Sequence, residues 1–120
     1  MMIKPITIAL LLLLIASPAY SQPSFSSFWT TFKAAIARND KQAVAGLTKL
    51  PFLYDSKEQD HDGFIKIYPQ LFTRQIRRCI ATAKPTKENE NYDVFCGELI
   101  FYFGKDTDGK LKLLEFGVND

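Results

Sequence analysis

The apolar residues of this chain change their period once, at Thr73, and that change limits the fold more than any other feature. Before it they recur at helical spacing. Phe25, Phe28, Trp29, Phe32, Ala35 and Ile36 fall three and four positions apart, on one stripe of an amphipathic helix. Ser24 or Ser26 can cap its start. Arg38-Asn39-Asp40 closes it, because Asn39 tolerates left-handed backbone and Asp40 can cap the next helix. That second helix is short, with Ala43, Val44 and Leu47 on its buried side. Gly46 weakens it and Pro51 forbids its continuation. Phe52-Leu53-Tyr54 reads as a short extended segment. Asp60 or Asp62 then starts a third helix with Phe64, Ile67, Tyr68, Leu71 and Phe72 apolar, which Pro69 must kink or split.

After Thr73 the spacing is two. Gln75 to Thr82, Tyr92 to Phe103 and Lys110 to Val118 read as three strands. Ala83 to Asn91 and the tight Asp106-Thr107-Asp108-Gly109 link them. Helices first and strands last predict an α+β fold, with N-terminal helices packed on a curved antiparallel β-meander. An aromatic content of 13% is too high for a disordered chain, and 120 residues allow one domain and not two.

Not all of the chain belongs to that domain. Lys4, the apolar run Ile6 to Ile15 (broken only by Thr7) and Ala16-Ser17-Pro18-Ala19-Tyr20-Ser21 are the three sections of a secretory signal. The run is ten residues long. It spans about 15 Å, half of a bilayer core of about 30 Å, so a cleaved leader fits it better than a retained anchor. The signal is read as 1–21 and the folded domain as 22–120, with cleavage before Gln22 and a cut after Ala19 as the alternative. No cysteine near the cut offers a lipid attachment. The expected location is periplasmic or secreted, with no stable membrane insertion after cleavage. Losing Lys4 takes the net charge from +2 to +1. A near-neutral chain has no field to collect nucleic acid.

The two cysteines of an exported chain point to a disulfide. A register pairing Cys79 with Cys96 also sets Ile80 opposite Phe95, Ile76 opposite Leu99 and Arg77 opposite Glu98. A hairpin centred on Thr107 and Asp108 sets Phe101 opposite Leu114 and Leu99 opposite Phe116. One face then carries Ile76, Ile80, Phe95, Leu99, Phe101, Phe103, Leu114, Phe116 and Val118. The cysteines lie on the other face with Val94, Ile100, Leu111 and Leu113, which offers a homodimer surface.

Candidate chemistry is sparse. The sequence has no Gly-x-Ser-x-Gly, phosphate loop or His-Glu-x-x-His, and no cofactor or metal is expected. His61 is the only histidine, and Cys-x-x-Cys does not occur. Asp60-His61-Asp62-Gly63 and Asp106-Thr107-Asp108-Gly109 resemble pieces of a calcium loop. The twelfth loop position is Pro69 in the first, and the first position is Gly104 in the second, so a helix start and a hairpin turn suit them better. His61 beside two acids is a conceivable dyad or a solvated helix start. No catalytic residue is assigned. Arg78 is the odd residue on the predicted apolar face, opposite Gly97. It suits either a pocket cation for a carboxylate or an arginine reaching the rim. Trp29, Tyr54 and Tyr68 are polar-tipped aromatics that suit a cavity wall or a core.

Phe28-Trp29-x-x-Phe32-x-x-Ala35-Ile36-x-x-Asn39-Asp40, then Val44, Leu47 and Pro51-Phe52, resembles the opening of nuclear-transport-factor-2-like domains. Phe64-Ile65-x-x-Tyr68-Pro69-x-Leu71-Phe72 before the strands does so too. The chain looks most like small exported bacterial members of unassigned function. The resemblance implies a sheet curved around helices, with a cone-shaped pocket. In the family that scaffold serves isomerases, dehydratases, epoxide hydrolases, transport adaptors and immunity proteins, and fold does not choose among them. The enzymatic relatives place acids and bases inside the cone, whereas the predicted inward strand positions here are apolar apart from Arg78. The expected function is therefore a non-catalytic exported binding domain for a small anionic or apolar ligand, with Arg78, Trp29, Tyr54 and Tyr68 as pocket residues. The alternatives are an inhibitor or immunity-type protein bound to an exported partner, and a small-molecule isomerase or hydrolase.

Overall fold

The computed structural model describes residues 24–119, so the leader expected over 1–21 lies outside the described residues. The chain forms helices α1 (Phe25–Ala37) and α2 (Lys41–Gly46) and a small hairpin of β1 (Phe52–Tyr54) and β2 (Lys57–Gln59). Helices α3 (His61–Leu71) and α4 (Arg74–Thr82) follow, then strands β3 (Thr86–Glu88), β4 (Asn91–Cys96), β5 (Leu99–Lys105) and β6 (Leu111–Val118). The last four strands form an antiparallel sheet in sequence order. The fold is α+β, helices first.

The first half follows its local signals. The Ser24 hydroxyl accepts from the Ser27 N–H at 3.2 Å and caps α1. Phe28, Trp29, Phe32, Ala35 and Ile36 are its buried stripe. Asn39 turns the chain at φ 55°, and Asp40 caps α2 by accepting from the Ala43 N–H at 3.1 Å. Asp60, not Asp62, caps α3 through the Gly63 N–H at 2.8 Å. Pro69 does not split α3 into two helices. It sits in the last turn, and the helix ends at Leu71.

The segment from Gln75 to Thr82 is not a strand. It belongs to helix α4, capped by Thr73, whose hydroxyl accepts from the Ile76 N–H at 3.2 Å. Ile76 and Ile80 fit a period of two and a period of 3.6 equally well. Cys79 and Ala83 decide between them, because all four pack on the core and only helical spacing puts 76, 79, 80 and 83 on one face. The Arg77 Nη1 donates to the Phe72 carbonyl at 2.7 Å and ties the start of the helix to the end of α3.

This correction changes the rest of the register. Cys79 and Cys96 are bonded, but the bond joins α4 to β4 and not two strands. Gly97 is not opposite Arg78. It sits at φ 63° in a two-residue turn that divides the expected strand Tyr92 to Phe103 into β4 and β5. Phe95 therefore pairs with Ile100, and Cys96 with Leu99. The expected link Ala83 to Asn91 carries the edge strand β3. In the last hairpin Phe103 pairs with Leu113. Leu114 is then bulged, so Phe101 meets Phe116 and Leu99 meets Val118.

A slip of one residue exchanges the faces of a strand. Val94, Cys96 and Leu113, expected outside, are buried in the core. Phe95, expected inside, is 50% exposed. The dimer surface read from Val94, Ile100, Leu111 and Leu113 thus loses Val94 and Leu113 to the core and Leu111 to the inner face. The inner face holds Val94, Cys96, Phe101, Phe103, Leu113 and Phe116 against the helices. Aromatic rings fill the space between the layers. Phe103 meets Trp29 and Phe32 edge-on at 5.5 and 5.0 Å, Phe72 stacks on Phe101 at 5.5 Å, and Phe52 meets Phe64 at 5.3 Å.

The disulfide closes a loop with a sequence separation of 17. Replacing both Cys79 and Cys96 with Ala is expected to lower the unfolding free energy by about 3 kcal/mol, from the lost constraint on the unfolded chain. Urea denaturation of the two proteins measures it. Equal midpoints would show that the bond carries no stability.

Candidate functional site

The four residues read as a pocket do not meet. Arg78 is exposed on α4. Tyr54 is half-buried against the Phe116 ring at 5.8 Å. Tyr68 is 1% exposed and packs between Phe64 and Phe72. Its hydroxyl has no hydrogen-bond partner among the described residues. Burial pushes its phenol pKa up, against a smaller lowering by Arg77. Trp29 is buried in the stripe of α1, and it alone of the four borders the opening described next.

That opening lies where α1 begins. The helix starts at Phe25, while the sheet runs on past its end. Alternation from Phe101 and Phe103 puts Lys105 on the inner face. The pairings Lys105 with Leu111 and Lys87 with Tyr92 bring three more residues to the same side. A cleft of about 430 Å³ forms there, and its lining includes Phe25, Lys87, Glu90, Tyr92, Lys105 and Leu111. A second cleft of about 450 Å³ lies beside it, lined by Ser26, Trp29 and Pro85. Phe25 and Tyr92 line both. Their rings stack at 3.7 Å and 6° and form a shared aromatic wall.

The first cleft is positive. Among the described residues neither Lys87 nor Lys105 has a salt-bridge partner. The first turn of α1 carries no acidic side chain, so the partial positive charge of its N-terminus adds to theirs. Glu90 is the one acid on the lining. The arrangement can hold a flat apolar group against the rings and an anionic group between the two ammonium ions. The sequence contained a signal for it. Phe101, Phe103 and Lys105 alternate along one face, and ending the strand at Phe103 hid the lysine.

The residues that invited metal or acid–base readings have local partners. Lys112 donates to Asp106 Oδ2 at 3.1 Å and to Asp108 Oδ2 at 3.0 Å, so an ammonium group stands where a calcium ion would. The N–H groups of Thr107 and Lys110, then Lys112, hold the Asp106 and Asp108 carboxyls below their usual range. Asp60 is occupied as a helix cap. His61 lies exposed at 3.4 Å from Asp62. Among the described residues no group of three His, Cys, Asp or Glu side chains is placed to hold a metal. One acid is buried. Asp93 on β4 is 7% exposed, and Glu88 stands diagonally across from it on β3. Burial pushes the Asp93 pKa up, and Glu88 adds to the effect.

No family model, curated protein or solved structure matches the chain.

Asp93 has a definite pH signature. Its folded pKa lies above its unfolded one, so the native state holds the extra proton and stability falls as pH rises through that window. Asp93→Asn removes the buried charge. Its urea midpoint is expected above that of the parent at pH 7, with the gap closing as acid protonates Asp93. Asp106 and Asp108 contribute the opposite slope to both proteins and cancel in the difference. A lower midpoint for the Asn variant at pH 7 would contradict the assignment.

Proposed function

We propose that this chain is a small exported binding module, non-catalytic, that holds a small molecule in the cleft at the start of α1. The observation that carries the reading is the uncovered end of the inner sheet face, where a stacked aromatic pair lies beside two lysines that have no salt-bridge partner among the described residues. Among the described residues Phe32, Phe72, Phe101 and Phe103, each 0% exposed, fill the space between helices and sheet away from that end, which supports the reading. A volume near 430 Å³ is at the small-molecule end of the range for ligand sites, about 300–1,000 Å³. Export is supported by the leader pattern and by the Cys79–Cys96 bond, which persists in an oxidising compartment. No helix among the described residues is long and apolar enough to cross a membrane. Kinship with nuclear-transport-factor-2-like domains is part of the proposal and rests on the motif residues quoted above.

Equilibrium dialysis against a pool of small metabolites, read by mass spectrometry, tests the reading. The expected result is saturable one-to-one retention of a compound that is recovered unchanged. Recovery in chemically altered form would replace the reading with an enzyme. Retention of nothing, together with a stable one-to-one complex with another exported protein, would replace it with an inhibitor or immunity protein.

A further inference from the structure

The lining of the first cleft separates into two kinds of surface. Phe25, Tyr92 and Leu111 form the apolar part, and Lys87 and Lys105 with the single acid Glu90 the charged part, which leaves one positive charge in excess. Both lysines arise from inward register positions that elsewhere in the sheet hold Phe101, Phe103 and Val94. A lysine at such a position keeps its ammonium group wet only because the helix layer stops short of it. The two lysines stand on β3 and β5 with β4 between them, and both border the same cleft. An anion in the cleft is attracted by both and by the N-terminus of α1, whose first turn carries no acid. The ring pair supplies a flat wall, and Leu111 faces the same space.

We propose that the cleft selects small aromatic anions: a ring laid against Phe25, Tyr92 and Leu111, with its carboxylate held between Lys87 and Lys105. The proposal rests on the binding reading above and names the ligand class for that same site. Lysine ammonium groups act as point charges without the fixed fork of arginine. The acid group is therefore recognised by its charge and position more than by its shape. The volume of about 430 Å³ accommodates a ring with a short acidic arm.

The test uses the protein purified from the compartment to which it is exported and two probes of equal shape, phenylacetate and phenylacetamide. Backbone amide shifts are followed in nuclear magnetic resonance titrations at low salt. Phenylacetate is expected to shift Phe25, Lys87, Tyr92, Lys105 and Leu111 saturably. Phenylacetamide should bind at the same residues about fivefold more weakly, the scale of a pair of solvated charge contacts. The advantage should shrink at high ionic strength. The double variant Lys87→Gln and Lys105→Gln should lose it, while Lys57→Gln on β2 should keep it. Unchanged spectra outside the cleft show that the variants fold. Equal affinity for the two probes, or a preference that survives in the double variant, overturns the anion assignment and leaves the binding reading standing. No saturable shift with either probe at these residues overturns the assignment as well, and a compound retained in the dialysis then shows the site's true preference.

Discussion

Phe103 is the residue on which the arrangement of helices and sheet depends. It lies on the inner face of β5, fully buried, and its ring meets four rings of α1. Those contacts run from Phe25 at 6.2 Å through Phe28 at 6.0 Å and Trp29 at 5.5 Å to Phe32 at 5.0 Å. All four are edge-on, the geometry in which one ring's positive edge meets another's negative face. One side chain therefore sets the height, rotation and direction of α1 over the sheet. The remaining contacts follow from that placement. Phe72 reaches Phe32 and stacks on Phe101, Phe64 reaches Phe52, and Phe52 stacks on Phe116. The Cys79–Cys96 bond fixes α4 to the same face of β4.

The position of α1 also decides where the molecule stays open. The helix cannot begin before its cap at Ser24, and the sheet extends two residues beyond Phe103 to Lys105. At that end the inward positions change from aromatic to lysine, while Phe25 leans across to stack on Tyr92. The sequence thus closes the core with rings and leaves its end lined by charge. In the β5–β6 hairpin at that same end Lys112 neutralises Asp106 and Asp108 internally, whereas Lys87 and Lys105 have no such partner among the described residues. Lysines within one sheet therefore have two roles, and the difference lies in which acids the turns bring near.

Helices α1 to α3 were legible because several local signals agreed. The stripe from Phe25 to Ile36, the Asn39-Asp40 break and the Asp60 cap each had a period and a capping residue pointing the same way. The strands were legible as strands but not in register. Ile76 and Ile80 are four apart, a spacing common to both periods, so a strand could be drawn through a helix that Thr73 caps. The cysteine pair does not decide between the two, since a helix and a strand satisfy its distance as readily as two strands do. Gly97 does mark the break, because a glycine between alternating runs signals a turn. The bulge at Leu114 left no mark that periodicity could detect. The site suffered from the same slip. An inward cation was expected at Arg78, and the inward cations are Lys87 and Lys105.

The account turns on which phenylalanines face the helices. The same substitution at two positions of the sheet tests it most directly. Phe103→Ala should reduce the unfolding free energy by about 3–5 kcal/mol, the range for truncating a buried ring. Phe95→Ala, at a position 50% exposed on the outer face, should reduce it by less than about 1 kcal/mol. Urea denaturation of both variants gives the comparison. Equal losses, or a larger loss at Phe95, would mean that the faces are exchanged and that the cleft at the start of α1 is not where this structure places it.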